Sequence, residues 1–261
     1  MTRDLSKLWF SQASLSAWLN CPLKFKYRYV DGLYWPLAAG GPISKTIELG
    51  RRFHLLAQRY FSSGEAEVPA GEDPLLEQWL AALKKYLPRS GDCRFLPEYE
   101  LRSARKSMRL LAKYDLLVVG EKGIAIYDWK TEARAPRETL AATAQTRLYL
   151  YLLSSVPEYF ALDPAAATMV YWNPRFPGQP LTLRYSQQQR EQDEAWLQKL
   201  TAEILSTAAF PATGRERNCR FCEYRPVCHG QGLEELEEEI ELDEVDWEQI
   251  QEIVLQGVNL P

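Results

Sequence analysis

The run Ile124-Ala125-Ile126-Tyr127-Asp128-Trp129-Lys130 constrains this chain more than any other segment. It is apolar and rich in β-formers, which marks it as a strand. Side chains alternate along a strand, so Asp128 and Lys130, two positions apart, point to the same side. A second apolar run, 116–119, lies just upstream with Asp115 at its head. Between the two runs, 120–123 reads Gly-Glu-Lys-Gly, a turn composition. The arrangement predicts a hairpin that brings two carboxylates and one ammonium together.

The rest of the chain supplies elements around that hairpin. Serines ahead of an apolar periodic run in 8–19 form an N-cap signature, and the helix they predict breaks at Cys21-Pro22. Residues 24–29 then alternate basic and aromatic side chains. After a Gly/Pro loop at 39–42, helices are expected over 44–61, carrying His54, and over 74–87. Residues 94–101, 107–119 and 123–130 read as successive antiparallel strands. Helical spacing returns over 137–155, with Gln145, Leu148, Tyr149 and Leu152 along one side. Strands are expected at 167–172 and 181–185, followed by a long amphipathic helix over 186–207. There are no internal repeats. This order predicts an α/β or α+β fold built on one sheet with helices packed against it.

Charge divides the chain in two. Residues 231–261 hold eleven of the 35 acidic side chains and no lysine or arginine, leaving 24 acidic against 31 basic in residues 1–230. A body of about +7 suits a polyanionic partner, because phosphate neutralisation drives most nucleic-acid affinity. The expected division is therefore a basic domain over 1–230 and an acidic helical tail over 231–261. No stretch approaches the roughly 20 apolar residues needed to span a bilayer. Met1-Thr2-Arg3-Asp4 lacks the layout of a signal peptide, so a cytoplasmic location with reduced or metal-bound cysteines is expected.

Water cuts a phosphodiester only if the attacking oxygen loses its proton and the charge gathering on phosphorus is neutralised. Mg²⁺ held by carboxylates can do both. Asp115 and Asp128 fit as ligands, with the Trp129 carbonyl as an extra oxygen. Lys130 would orient the water and stabilise the phosphate charge. His54 is one of only two histidines and fits as a third ligand, which favours Mn²⁺ relative to a pure oxygen site. Gly50, one turn before it, allows close backbone approach. Gln145 and Tyr149, one helical turn apart, fit as hydrogen-bonding partners of a phosphate or of the lysine.

Cys219, Cys222 and Cys228 place three soft ligands within ten residues, a metal-binding spacing. The fourth ligand must come from Cys21, Cys93 or His229. Cys21 is preferred because it would pin the two ends of the chain together, and Cys93 is expected to stand apart. Four thiolates suit either Zn²⁺ or a [4Fe–4S] cluster.

Taken in order, Ser14-x6-Cys21-Pro22-x2-Phe25, Gly50-x3-His54, Asp115, Asp128-x-Lys130-Thr131, Gln145-x3-Tyr149 and the three late cysteines resemble the RecB-like branch of the PD-(D/E)xK nucleases. The likeness is to the subset with an iron–sulfur cluster, found in helicase–nuclease subunits and a CRISPR adaptation exonuclease. It covers nearly the whole chain. It implies a restriction-endonuclease-like α/β core: a central mixed sheet flanked by helices, its terminal segments joined by a metal cluster. It also implies that His54, Asp115 and Asp128 bind metal, that Lys130 is catalytic, and that Gln145 and Tyr149 support the site. Cys21, Cys219, Cys222 and Cys228 would hold a structural [4Fe–4S] cluster. Relatives commonly place a glycine shortly before the first acid, where this chain reads Leu111-Ala112-Lys113-Tyr114-Asp115.

The activity so implied is a Mg²⁺/Mn²⁺-dependent DNA exonuclease of repair, recombination or defence. The chain has no Gly-x4-Gly-Lys-Ser/Thr loop, so unwinding falls to a helicase partner, or the substrate is already single-stranded. DNA is expected to pass Arg51, Arg52, Arg102, Arg105, Lys106 and Arg109, with aromatic faces available for stacking. Two other readings exist: a catalytically silent subunit that binds DNA ends, and a zinc-stapled interaction module whose acidic tail is the working part.

Overall fold

The computed structural model describes residues 4–34, 42–105, 108–121, 123–155, 166–220 and 222–230. The acidic tail over 231–261, Lys106 and Phe221 lie outside them. Helix α1 (Gln12–Asn20) begins at a capping box in which the hydroxyls of Ser11 and Ser14 each accept from the other's backbone N–H. It stops at Cys21, whose φ of −164 and ψ of 110 are the extended backbone that a following proline imposes. The chain resumes as α2 (Pro22–Phe25), with Pro22 in the first turn, and then a π-helical turn, Lys26–Val30. The basic–aromatic strip is therefore helical. Phe25 enters the core, and Lys24 is buried against Glu223.

Helices α3 (Pro42–Ser63) and α4 (Pro74–Tyr86) precede the sheet. Strands β1 (Arg94–Arg105), β2 (Met108–Gly120) and β3 (Gly123–Trp129) form an antiparallel meander. Strand β4 (Ala167–Trp172) lies parallel to β3, and β5 (Leu181–Arg184) antiparallel to β4. The result is a mixed sheet in the order β1-β2-β3-β4-β5. Helix α5 (Ala144–Ser154) lies in the long connection that a parallel pair requires. It starts later than the expected 137, because Thr143 is extended and its hydroxyl caps the Thr146 N–H, ending a 3-10 turn over Glu138–Ala142. Helix α6 (Gln187–Ser206) starts at a Ser186–Gln189 capping box, and α7 (Arg225–His229) ends at Gly230 with a φ of 70.

The sheet separates two apolar cores. One packs α1, α5 and α6 on Ile126, Leu117 and Met169, and the other packs α3 and α4 on Leu116, Trp129 and Trp172. This is the helix-flanked mixed sheet that the resemblance implies. Strands β1 and β2 exchange faces at one level. In β2, Leu110, Ala112 and Tyr114 lie in the first core, whereas Leu116 lies in the second. In β1, Tyr99 and Leu101 pack with the first core and Phe95 with the second. The exchange falls at Glu98, whose φ of 53 is left-handed and costs roughly 1–2 kcal/mol for a residue with a Cβ.

The first and last described segments meet directly. The Leu23 N–H donates to Pro211 O (3.2 Å), the Asn218 amide to Asn20 O (2.8 Å), and the Tyr224 hydroxyl to Leu33 O (2.5 Å). Glu223 pairs with Lys24 at 2.7 Å and with Arg28 at 3.3 Å.

Phe53 is fully buried and touches the edges of Trp79 and, tilted, Trp172. Replacing it with alanine is expected to cost about 3–5 kcal/mol, read as a lower urea midpoint with an unchanged slope.

Candidate active site

Strand β3 divides its side chains as alternation requires. Trp129 enters the core under α3 and α4, while Asp128 turns toward α5. Lys130, one residue past the strand, follows Asp128, and its Nζ stands 2.9 Å from Asp128 Oδ2. Gln145, in the first turn of α5, completes the group. Its amide donates to Asp128 Oδ1 at 2.6 Å, and its carbonyl oxygen accepts from Lys130 Nζ at 3.0 Å. Burial acts to lower the Lys130 pKa, but Asp128, with Glu132 and Tyr171 beyond it, reverses that and holds it well above the usual lysine range. The side chain is an ammonium across the physiological range.

Asp115 stands on β2. Leu116 pairs with Tyr127, and one further step of that register sets Asp115 opposite Asp128. Its carboxylate accepts from the Trp129 backbone N–H at 2.8 Å. Its other oxygen lies 3.4 Å from His54 Nδ1. The second ring nitrogen, Nε2, lies 3.0 Å from the Trp129 carbonyl, which can only accept, so Nε2 carries a proton. As an imidazolium the ring also carries a proton on Nδ1 and donates it to the Asp115 carboxylate, whereas in the neutral ring Nδ1 presents its lone pair there and can serve as a ligand. Burial pushes the Asp115 carboxyl up, yet His54, the Trp129 N–H and Lys130 together hold it below the usual aspartate range.

Glu98 joins this pair. Ligand-capable atoms of His54, Glu98 and Asp115 all lie within 4.8 Å of one another. Burial, and then Asp115, raise the Glu98 carboxyl above its ordinary pKa against the opposing effect of Lys113, whose Nζ is 2.5 Å away. Two carboxylates and an imidazole lone pair converging this closely repel one another unless a proton or a cation lies between them. Their oxygen and nitrogen donors suit Mg²⁺ or Mn²⁺. Gly50 sets α3 against the site, since a Cβ there would fall 2.7 Å from Thr131 Oγ1.

The family model of the PD-(D/E)XK nuclease superfamily matches residues 9–229. The chain belongs to that superfamily. Nucleases of this superfamily use divalent metals and act on DNA, and the His54–Glu98–Asp115 group can hold such an ion. A crystal structure named as a "putative exonuclease" from Eubacterium rectale shares the fold, with a TM-score of 0.51 at 8% identity over 79% of this chain and 84% of its own. SSO0001, also a crystal structure, aligns over 84% of this chain and 85% of its own at 14% identity with a TM-score of 0.39, too low to bear on the fold. No curated protein matches significantly.

Within this nuclease scaffold the expected site residues form two adjoining groups. Asp128 lies with Lys130 and Gln145, and His54 and Asp115 lie with Glu98, which the sequence reading omits. A signal for Glu98 exists. Arg105 pairs with Met108, and counting back along that hairpin sets Glu98 across from Asp115. Tyr149 points elsewhere. Its hydroxyl donates to Lys113 O at 2.7 Å, bracing β2 beside the site. Arg51 pairs with Glu48, and Arg52 with Glu48 and Glu72.

Cys21, Cys219, Cys222 and Cys228 lie on the segments that meet, but they are not arranged as a cluster. Among the described residues, no three cysteine sulfurs all lie within 4.8 Å of one another. They are nonetheless within electrostatic reach. Burial, and then Cys21, push the Cys219 thiol up, and burial, Cys21 and Cys219 do the same to Cys228. Cys222 is raised to about 11, chiefly by burial. Cys93 stands apart, before β1 and against Gly120.

Glu98→Gln keeps the shape of the side chain and removes its charge. It is expected to weaken Mn²⁺ binding by at least about tenfold, measured calorimetrically. Unchanged affinity would remove Glu98 from the ligand set.

Proposed function

We propose that the chain is a metal-dependent DNA exonuclease of the RecB-like branch. The observation that carries this reading is the buried Lys130 ammonium, held between Asp128 and Gln145 beside the His54–Glu98–Asp115 group. His54, Glu98 and Asp115 would hold Mg²⁺ or Mn²⁺, with Asp128 and the Trp129 carbonyl adjoining. Such an ion neutralises phosphate charge and lowers the pKa of attacking water.

The chain's own groups do the rest. Lys130, favoured as an ammonium by Asp128, is placed to stabilise charge developing on the phosphate and to orient the water. Gln145 fixes the spacing of Lys130 and Asp128 by bonding to both. Tyr149 keeps β2, and with it Asp115, in register. The exonuclease assignment, and a helicase partner in repair, recombination or defence, rest on the motif order from Cys21 to Cys228. End-labelled single- and double-stranded DNA with Mn²⁺ or Mg²⁺ tests the activity. Lys130→Ala is expected to lower turnover by about 100- to 1000-fold and to lower the thermal transition as well, because it leaves the buried Asp128 carboxylate without its charged partner. DNA binding without cleavage by the wild type would leave the silent end-binding reading in its place.

Cys21, Cys219, Cys222 and Cys228 are the proposed ligands of a [4Fe–4S] cluster. Zinc bonds of about 2.3 Å in a tetrahedron would bring all four sulfurs within about 3.8 Å of one another. A cubane spreads its thiolates over four irons, so its ligands need not meet at one point. Protein purified without oxygen is expected to contain about four irons and four sulfides per chain, both lost in Cys21→Ser. Stoichiometric zinc in their place would overturn this assignment.

A further inference from the structure

The β1–β2 hairpin continues well past the site, and its register sorts the arginines that composition alone groups together. Leu101↔Ala112 and Ser103↔Leu110 are paired, and Leu101, Ala112 and Leu110 belong to the core under α1 and α5. The alternate pairs Glu100↔Lys113, Arg102↔Leu111 and Ala104↔Arg109 therefore face the other way. Lys113 reaches Glu98 from that face, which makes it continuous with the His54–Glu98–Asp115 group. Arg105 falls on the core side, where it acts on Tyr151.

A third strand of chain completes the outer face. The Phe10 N–H donates to Arg109 O at 2.7 Å and the Leu111 N–H donates to Phe10 O at 3.0 Å, docking this segment on the edge of β2. Phe10 enters the core, so its neighbour Trp9 projects outward. Both guanidinium groups converge on the Trp9 ring, Arg109 at 4.6 Å and Arg102 at 5.5 Å from its centroid. Two cations gathered on one ring repel each other. Among the described residues only Arg102 has a carboxylate partner, Glu100 at 2.7 Å, and both side chains of that pair are about half exposed. An exposed pair of this kind contributes about 0–1 kcal/mol, so a phosphate displaces it at little cost. The buried Arg109 Nε has no acceptor among the described residues.

We infer that Arg102 and Arg109, held over the Trp9 ring, are contacts for the phosphate backbone of DNA. They lie four or more strand residues, roughly 13 Å or further, from Glu98 along one face of the hairpin. Strand spacing places this contact outside the reacting phosphate, where it holds the flanking strand and extends it toward the metal-ligating group. This inference rests on the nuclease reading for its substrate, but it is a statement about binding and is tested without cleavage.

The experiment measures affinity of the full chain for labelled single-stranded and duplex oligonucleotides in EDTA across a series of salt concentrations. Each lost phosphate contact lowers the steepness of log K against log salt by about 0.7 on single strands or about 0.9 on duplex. The Arg102→Gln/Arg109→Gln double variant is expected to lose about 1.4 on single strands or about 1.8 on duplex; the arm that changes identifies the bound form. Arg105→Gln removes a charge from the same strand but the other face, and is expected to leave the slope unchanged. Trp9→Leu keeps both charges, and is expected to weaken binding by about two- to fivefold at constant slope. A double variant with the slope of the wild type in both arms overturns the inference, even if the wild type cuts DNA. An arginine-dependent slope in a wild type that never cuts upholds the contact and sinks the nuclease reading. No binding at low salt by the wild type sinks both.

Discussion

The geometry of the site depends on the bond from the Trp129 backbone N–H to the Asp115 carboxylate. That bond ties the end of β3 to the middle of β2 at the point where their backbone ladder stops at Leu116↔Tyr127. The Trp129 carbonyl, on the same residue, meets His54 from α3. One residue's main chain thus sets an acid from one strand and a ring from a helix in fixed relation, while its indole anchors the core beneath them. A carboxylate bound by a backbone N–H in this way is favoured in its charged form. The site's geometry and its charge therefore have a common source.

The neighbouring Asp128–Lys130–Gln145 group depends on the same strand through its opposite face. Alternation sends Trp129 into one core and Asp128 toward α5, so packing of the indole fixes the direction of the acid. Gln145 can reach both charged partners because Thr143 caps α5 and holds its first turn in place. A buried ammonium with two oxygen partners is stable against deprotonation, and breaking such a pair by removing one charge costs about 3–5 kcal/mol. The group contributes rigidity as well as charge.

Period-two and period-3.6 patterns made much of this legible. The side shared by Asp128 and Lys130, the hairpin turning at 120–123 and the helix carrying Gln145 all follow from spacing. Glu98 was less accessible because its left-handed backbone, with a φ of 53, breaks the alternation that a strand pattern assumes. At that level β1 and β2 exchange faces, so parity counted from Leu101 gives the wrong side for Phe95. Tyr149 shows a different limit. Helical spacing gave its face, but the choice between a phosphate and the Lys113 carbonyl depends on how α5 sits over β2. Composition groups Arg102, Arg105 and Arg109 together, whereas the hairpin register puts Arg105 on the other face, a distinction that depends on strand pairing.

The terminal segments raise the question of what a metal would add where the protein already holds itself. Pro211, Asn218, Glu223 and Tyr224 all bond to residues between Asn20 and Leu33. The Lys24–Glu223 pair is buried on both sides, so it stabilises only while Arg28 and Lys24 remain in place around the acid. Cys219, Cys222 and Cys228 among these contacts are held as thiols chiefly by burial, and further by the charge that neighbouring cysteines would carry as thiolates. A cation bound by them would convert that repulsion into attraction and close a loop of nearly the whole chain, the case in which a crosslink removes most entropy from the unfolded state. On this argument the hydrogen bonds set the geometry of the junction. Metal ligation would chiefly oppose its opening, with its largest effect on how fast the C-terminal segment separates from α1 and α2.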